Sequence, residues 1–292
     1  MNRNENFALS QVNTLQVRLA WATLEMMVDD VPELQVMVSG DDNDVSDLKI
    51  SCQDGKLQVE QPTYGLSMKL NTERWMQLFL RIPREWKGAV DAGTISGMMS
   101  VRGLCGTDLA LDTVSGDLRA ANLQAITLGM KTATGDIQAG GISAEKLTLR
   151  SVSGIIKVQD VQAQQVKAIN VSGEVTLDFL SPFEKVEGNT VSGNIRVYAP
   201  IDMADAALSS LNGKLRTSGV SLQEGAALVR VSSISGDLEI NQIKQNRGGN
   251  DHGQTEFRRI RRRRQHAAAH AAGAEAAAAD GGGAGGAGCE GI

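Results

Sequence analysis

From about residue 90 the chain repeats one arrangement of apolar and polar positions. Glycines stand at Gly97, Gly116, Gly135, Gly154, Gly173, Gly193, Gly213 and Gly236, at steps of 19, 19, 19, 19, 20, 20 and 23 residues. Each follows Ser, Thr or Asn. Two residues earlier come Ile95, Val114, Ala133, Val152, Val171, Val191, Leu211 and Ile234. Two residues later come Met99, Leu118, Ile137, Ile156, Val175, Ile195, Leu215 and Leu238. Seven residues before the glycine is another apolar column (Val90, Leu109, Leu128, Leu147, Val166, Val186, Ala206, Val229). Seven after it stand Leu104, Leu123, Ile142, Val161, Leu180, Pro200 and Val220, with Pro200 the lone break.

This spacing is the two-residue period of short strands, two per copy, and no run at helical spacing is long enough for a helix. Such strands cannot form a core alone and must stack on the copies above and below. The expected fold is all-β: a parallel β-solenoid (β-helix) of about eight coils of 19–23 residues with a strand-rich N-terminal cap. The sixteen apolar positions flanking the glycines are expected inside. Eight coils at strand spacing would span roughly 34 Å.

Three residues before each glycine sit Thr94, Thr113, Thr132, Ser151, Asn170, Thr190, Ser210 and Ser233. With the residue just before the glycine they make two polar columns, able to stack as hydrogen-bonded ladders. The glycine serves either a positive φ at a corner or a close approach inside a narrow coil; both readings stand.

Residues 12–90 also read as strands: Leu15-x-Val17-x-Leu19, Leu24-x-Met26-x-Val28, Leu34-x-Val36-x-Val38 and Leu78-x-Leu80-x-Ile82. Asp54-Gly55 signals a hairpin. Residues 41–47 and 60–74 look like surface loops, and the segment as a whole is expected to cover an open end of the solenoid. The division expected is an N-terminal extension (1–11), a capping part (12–90), the repeats (91–246) and an Arg/Ala/Gly-rich tail (247–292) without a core of its own.

Hydrophobic residues are 41% of the chain but aromatics only 3%, so the core is aliphatic. The tail holds 7 of the 29 basic and 5 of the 34 acidic residues, which leaves residues 1–246 at a formal −7. That balance gives the folded body no reason to bind nucleic acid. The tail cluster Arg258, Arg259 and Arg261–Arg264 reads as a solvated tail, as a contact for nucleic acid or anionic lipid, or as a shifted reading frame. Cys52, Cys105 and Cys289 have no metal spacing, and Cys52 and Cys105 read as small strand residues. No signal-peptide core and no membrane span are visible, so the expected location is cytoplasmic or peripheral to the envelope, with the cell surface as the alternative.

No histidine lies in residues 1–246, so no Ser-His or Cys-His pair can form there. The position after the glycine (Met98, Asp117, Asp136, Ile155, Glu174, Asn194, Lys214, Asp237) offers Asp117 and Asp136 as a carboxylate pair for calcium or sugar chemistry. Ile155 and Lys214 interrupt the column, and Asp after a turn glycine is ordinarily a solvated turn residue. Glycine-rich phosphate motifs are absent. No catalytic, cofactor-binding or metal-binding residue is therefore assigned, and no cofactor is expected.

The unit [TS]-V-S-G-x-[IL]-x-[VA], behind a strand-rich leader ending in Leu80-Arg81-Ile82-Pro83, resembles the bacterial putative-adhesin family, a domain of unknown function. The resemblance spans roughly residues 12–243. It implies a bacterial β-solenoid without known catalytic residues and a part in the cell envelope, in surface attachment or envelope-stress response. The function expected is a non-enzymatic binding or scaffold protein with a protein or glycan partner. The alternative is a polysaccharide-active β-helix enzyme, which needs carboxylates with Lys or Arg gathered on one face of consecutive coils.

Overall fold

The computed structural model describes residues 1–62 and 75–243; of the loop expected over 60–74, Glu60 instead ends a strand and Gln61 is buried, while 63–74 and the tail expected over 247–292 lie outside the described residues. The leader's alternating apolar residues form strands as their period requires. These are β1 (Asn2–Phe7), β2 (Thr14–Leu19), β3 (Thr23–Asp29), β4 (Leu34–Gly40), β5 (Lys49–Gln53), β6 (Lys56–Glu60) and β7 (Met76–Pro83). Asp54 and Gly55 take φ of 50° and 77°, the left-handed pair of a tight hairpin turn, and join β5 to β6 antiparallel. Residues 41–47 were expected as a loop, yet Asp42–Asp47 form a short helix, α1. Its one apolar residue, Val45, is buried, and Ser46 Oγ donates to the Asp42 carbonyl (2.7 Å). A helical turn lets that single apolar side chain reach the core, with Asp44 buried beside it.

The repeats supply β8 (Ala89–Thr94), β9 (Met99–Arg102), β10 (Asp108–Thr113), β11 (Leu118–Lys131), β12 (Ile137–Ser153), β13 (Ile156–Ser172) and β14 (Val175–Phe179). They continue with β15 (Lys185–Ser192), β16 (Ile195–Ala199), β17 (Met203–Ser210), β18 (Leu215–Ser218), β19 (Ser221–Leu222), β20 (Ala227–Ser233) and β21 (Leu238–Gln242). All pairings from β8 onward are parallel, and equivalent residues of successive copies sit side by side: Leu109 pairs with Leu128, Leu128 with Leu147, Leu147 with Val166. The expected parallel solenoid is the fold.

Two short strands per copy is too simple a description. Strands β11, β12 and β13 run through a bend, because Asn122, Gly141 and Asp160 take φ of 54°, 69° and 55° there, as Gly103 does at 72°. These four are a second 19-residue column of Gly, Asn and Asp, the residue types that tolerate the left-handed region. The column is broken after Asp160: β14 has one residue fewer here than β13, which puts Phe179 beside Val161, so Phe179 is buried and Leu180, expected to continue the column, points outward.

Chain order and stacking order differ at both ends. Strands β2 and β3 lie between the pair β6 and β7 on one side and β8 and β9 on the other. Likewise β20 and β21 lie between β15 and β16 and the pair β17 and β18, so the outermost C-terminal coil is not the last in sequence. The other end is finished by antiparallel strands, β1 on β4 and β5 on β6.

The sixteen-position core divides in half. The residues two after the glycine are fully buried except Leu215 in the outermost coil. The residues two before it face solvent, with Ile95, Val114, Val152, Val171, Val191, Leu211 and Ile234 exposed by 41–80% and Ala133 half-buried. The expectation that they lie inside is wrong. Alternation carried back from Leu109 and Leu111 puts Thr113 inside and Val114 outside, and it does not survive the corner at Ser115-Gly116.

Candidate interaction ridge

In four of the coils the corner is built by the buried polar column. Thr94, Thr113 and Thr132 turn inward, and each Oγ1 accepts the N–H of the glycine three residues on, at 3.1, 3.0 and 2.9 Å. Ser210 does the same for Gly213 at 2.9 Å. This local bond satisfies a backbone donor at the bend, where the sheet ladder cannot. The glycines are required by close approach. A Cβ on Gly116 would fall on the Gly97 carbonyl oxygen, and one on Gly135 on that of Gly116, well under 3.0 Å. At Gly154 and Gly173 the corner also demands positive φ, 153° and 125°. Both readings of the glycine column therefore hold, in different coils.

The corner leaves the preceding apolar residue outside. Ile95, Val114, Ala133, Val152, Val171, Val191, Ile234 and Leu211 thus stack, in that order, along one edge of the solenoid. The hydroxyl column beside them is tied down: Ser115 Oγ donates to the Ile95 carbonyl (3.1 Å), Thr134 Oγ1 to Val114 (3.4 Å) and Ser172 Oγ to Val152 (3.3 Å). Met98 and Ile155, at the position after the glycine, are also exposed. Half-exposed aliphatic side chains over this length make a continuous patch of roughly 500–600 Å², the upper end of what monomers leave uncovered. Covering it would contribute on the order of 10 kcal/mol before the costs of association.

The position after the glycine, weighed above as a catalytic or calcium column, is structural where its bonds can be seen. Asp117 Oδ1 accepts the Asp136 N–H (3.2 Å), and Asp136 Oδ1 accepts the Ile155 N–H (2.8 Å). Asn194 and Asp237 do likewise for Asp237 and Lys214, at 3.0 and 2.8 Å. Each side chain thus caps the next coil's corner. Further along this face Arg196 bridges Glu174 and Glu239, and Arg216 bridges Asp237 and Glu239. The Arg196 guanidinium is held above its ordinary range, first by its bond to Glu174 and then by Glu239. Among the described residues no three His, Cys, Asp or Glu gather as a metal site. At Asp178 partial burial, then the neighbouring Asp160 charge, pushes the carboxyl up.

On another edge a shallow groove of about 460 Å³ runs over Ala125, Ala144 and Ala163, rimmed by Gln124, Gln162 and Glu145. The free thiol of Cys105 borders it, and that of Cys52 lies 3.5 Å from the Gln11 carbonyl. A floor of methyl groups with an amide rim offers no acid–base pair.

A family model described as Toastrack DUF4097 matches residues 12–209. The chain belongs to that family. The Toastrack match stops short of the last two glycine copies, Gly213 and Gly236, which the structure shows are coils like the others. Among solved structures, this Toastrack chain is similar to a putative adhesin of Bacteroides fragilis, with 15% identity over 83% of this chain and 97% of that one and a TM-score of 0.54. It is also similar to a putative lipid binding protein of Parabacteroides distasonis (17% identity, 84% and 96% coverage, TM-score 0.53). A putative adhesin of Parabacteroides merdae is a third (10% identity, 83% and 96% coverage, TM-score 0.52). At these identities the likeness establishes the Toastrack fold. No curated protein matches the chain.

The threonine column and the outward ridge are legible in the sequence once the corner is known, since T-x-[ST]-G is the pattern of a side chain capping a turn. The left-handed column at Gly103, Asn122, Gly141 and Asp160 could have been found by its spacing alone.

Proposed function

We propose that this protein is a non-enzymatic binding scaffold of the bacterial cell whose docking element is the apolar ridge from Ile95 to Leu211. The observation that carries the reading is that a column apolar in all eight copies of the repeat lies outside the core. A solenoid repeats its outer side chains at strand spacing, so a partner with an extended apolar edge can be held at many rungs. The flanking hydroxyls of Ser115, Thr134 and Ser172 spend their donors on the neighbouring coil, which favours the ridge as the main source of binding energy. A role at the envelope, in attachment or stress response, is part of this proposal, and so is the division into a capping part and a repeat body. Among the described residues no helix is long and apolar enough to cross a membrane.

The absence of an assigned catalytic residue belongs to the same reading. Asp117 and Asp136, the carboxylates an enzyme would need, accept backbone N–H groups instead.

The test replaces Val114, Val152 and Val191 together with Thr, which keeps shape and strand preference but wets the ridge. Melting should stay within about 1 kcal/mol of the parent, while components that the immobilised parent retains from a bacterial envelope extract should be lost. An unchanged set of retained components would overturn the ridge reading. Glycan turnover that disappears in Asp117→Asn or Asp136→Asn would overturn the non-enzymatic one.

A further inference from the structure

The two ends of the solenoid are finished differently, and among the described residues the C-terminal one is open. Its outermost coil runs from Met203 to Leu222, and among the described residues nothing pairs with the far side of β18. The Leu238 N–H donates to the Lys214 carbonyl, so in this parallel ladder Arg216 bonds inward and the N–H and C=O of Leu215 and Thr217 turn outward. On the other face β19 covers only Met203 and Ala204. Because Ser221 and Gln223 take the Asp202 and Ala204 carbonyls, the backbone groups of Ala206, Leu208 and Ser210 point to the same open side.

The core is also uncovered here. Leu208 and Leu215 are only half-buried, whereas their stacked partners Val231 and Leu238 are buried. Met203 and Leu222 are exposed by 45% and 55%. Of the charges on this coil, Asp205 and Arg216 are drawn back toward the coil beneath, to Arg230 at 2.9 Å and to Asp237 at 3.2 Å, while Lys214 stands exposed beside Leu215. The N-terminal end has the usual protection. Its outer strands carry Arg3, Glu5 and Lys49, the Arg3 guanidinium reaches the Leu48 carbonyl (2.7 Å), and α1 buries Val45 beside β4.

We propose that this C-terminal end is the contact of a two-fold dimer, with the outermost coil of one copy pairing antiparallel with that of a second. Two features select a second copy in this orientation. The coil contributes 20 residues, 203–222, about one side of a standard interface of roughly 20–30 residues. The protected N-terminal edge rules against head-to-tail stacking, whereas tail-to-tail pairing closes after two chains and leaves no open edge. Only the last ridge residue, Leu211, lies on the contacting coil, and the ridge from Ile95 to Ile234 stays outside it, so the dimer does not depend on the ridge reading.

Sedimentation velocity of the full chain, from micromolar to sub-millimolar concentration, tests the contact. The species expected has twice the 31.0 kDa chain mass. Thr217→Pro removes an outward donor without touching the ladder to β21, and Leu222→Lys charges an exposed position; each should weaken the dimer by about tenfold or more. Amide exchange at Ala206–Thr217 should slow as concentration rises. A monomer throughout, a dimer indifferent to both variants, or protection of these amides that does not change with concentration would overturn the proposal.

Discussion

The buried threonine column gives a substitution whose cost can be worked from the geometry. Thr132 is 6% exposed and its Oγ1 takes the N–H of Gly135, itself buried, at 2.9 Å. Thr132→Val preserves the shape and removes the acceptor, leaving a buried backbone donor unpaired at a cost of about 1–3 kcal/mol. Thr132→Ser keeps the acceptor and loses one methyl group, about 1 kcal/mol. In a unit of this size, each kcal/mol corresponds to roughly 2–4 °C of melting temperature. Urea unfolding followed by far-ultraviolet circular dichroism should therefore rank parent above Thr132→Ser above Thr132→Val, with an unchanged urea slope. A Thr132→Val protein as stable as the parent, or more stable than Thr132→Ser, would show that the hydroxyl is not capping the corner.

Gly116→Ala should be among the most damaging single-methyl additions, at or above about 4 kcal/mol, because the neighbour it meets is backbone and cannot turn aside. Gly140→Ala, where an added Cβ meets nothing within 4 Å, should be neutral or stabilising by up to about 1 kcal/mol; thermal melts of the two compare them directly. The raised Asp178 carboxyl carries a definite sign. Its ionisation weakens the folded state as pH rises through its elevated range, so Asp178→Asn should melt higher than the parent near neutrality. The gain should shrink as pH falls below that range; a gain that grows in acid would contradict the burial argument.

Much of the fold was legible because its unit repeats. Eight glycines in register fix coil length, parallel pairing and the alignment of Leu109, Leu128, Leu147 and Val166 without reference to coordinates. The Asp54-Gly55 hairpin was equally plain, since only a left-handed turn explains that pair between two strands. What could not be read was the inside and outside of the corner. Val114 and Leu118 look equivalent about Gly116, and only the capping bond from Thr113 reveals that alternation breaks between them. Hydrophobicity favoured the wrong answer, because a buried threonine and an exposed valine each violate the usual preference. The stacking order was likewise hidden: β20 carries the same pattern whether it follows β17 or slips between β15 and β17, and repeat periodicity is blind to that exchange. The acidic column was read as solvated turn residues, and its bonds to the next coil depend on a side-chain direction that spacing does not specify.

The central claim is that the apolar residue before each glycine lies outside while the one after it lies inside, and a matched pair in one coil tests it. Val152 is 51% exposed and Ile156 is fully buried. Thermal melting of Val152→Asp and Ile156→Asp, purified in parallel, should give a near-parental transition for the first, within about 0.5 kcal/mol. The second should be unfolded or severely destabilised, since an unpaired carboxylate would enter an aliphatic stack. Two proteins that are both unfolded would place Val152 in the core and remove the ridge; two that both melt like the parent would remove the solenoid core itself.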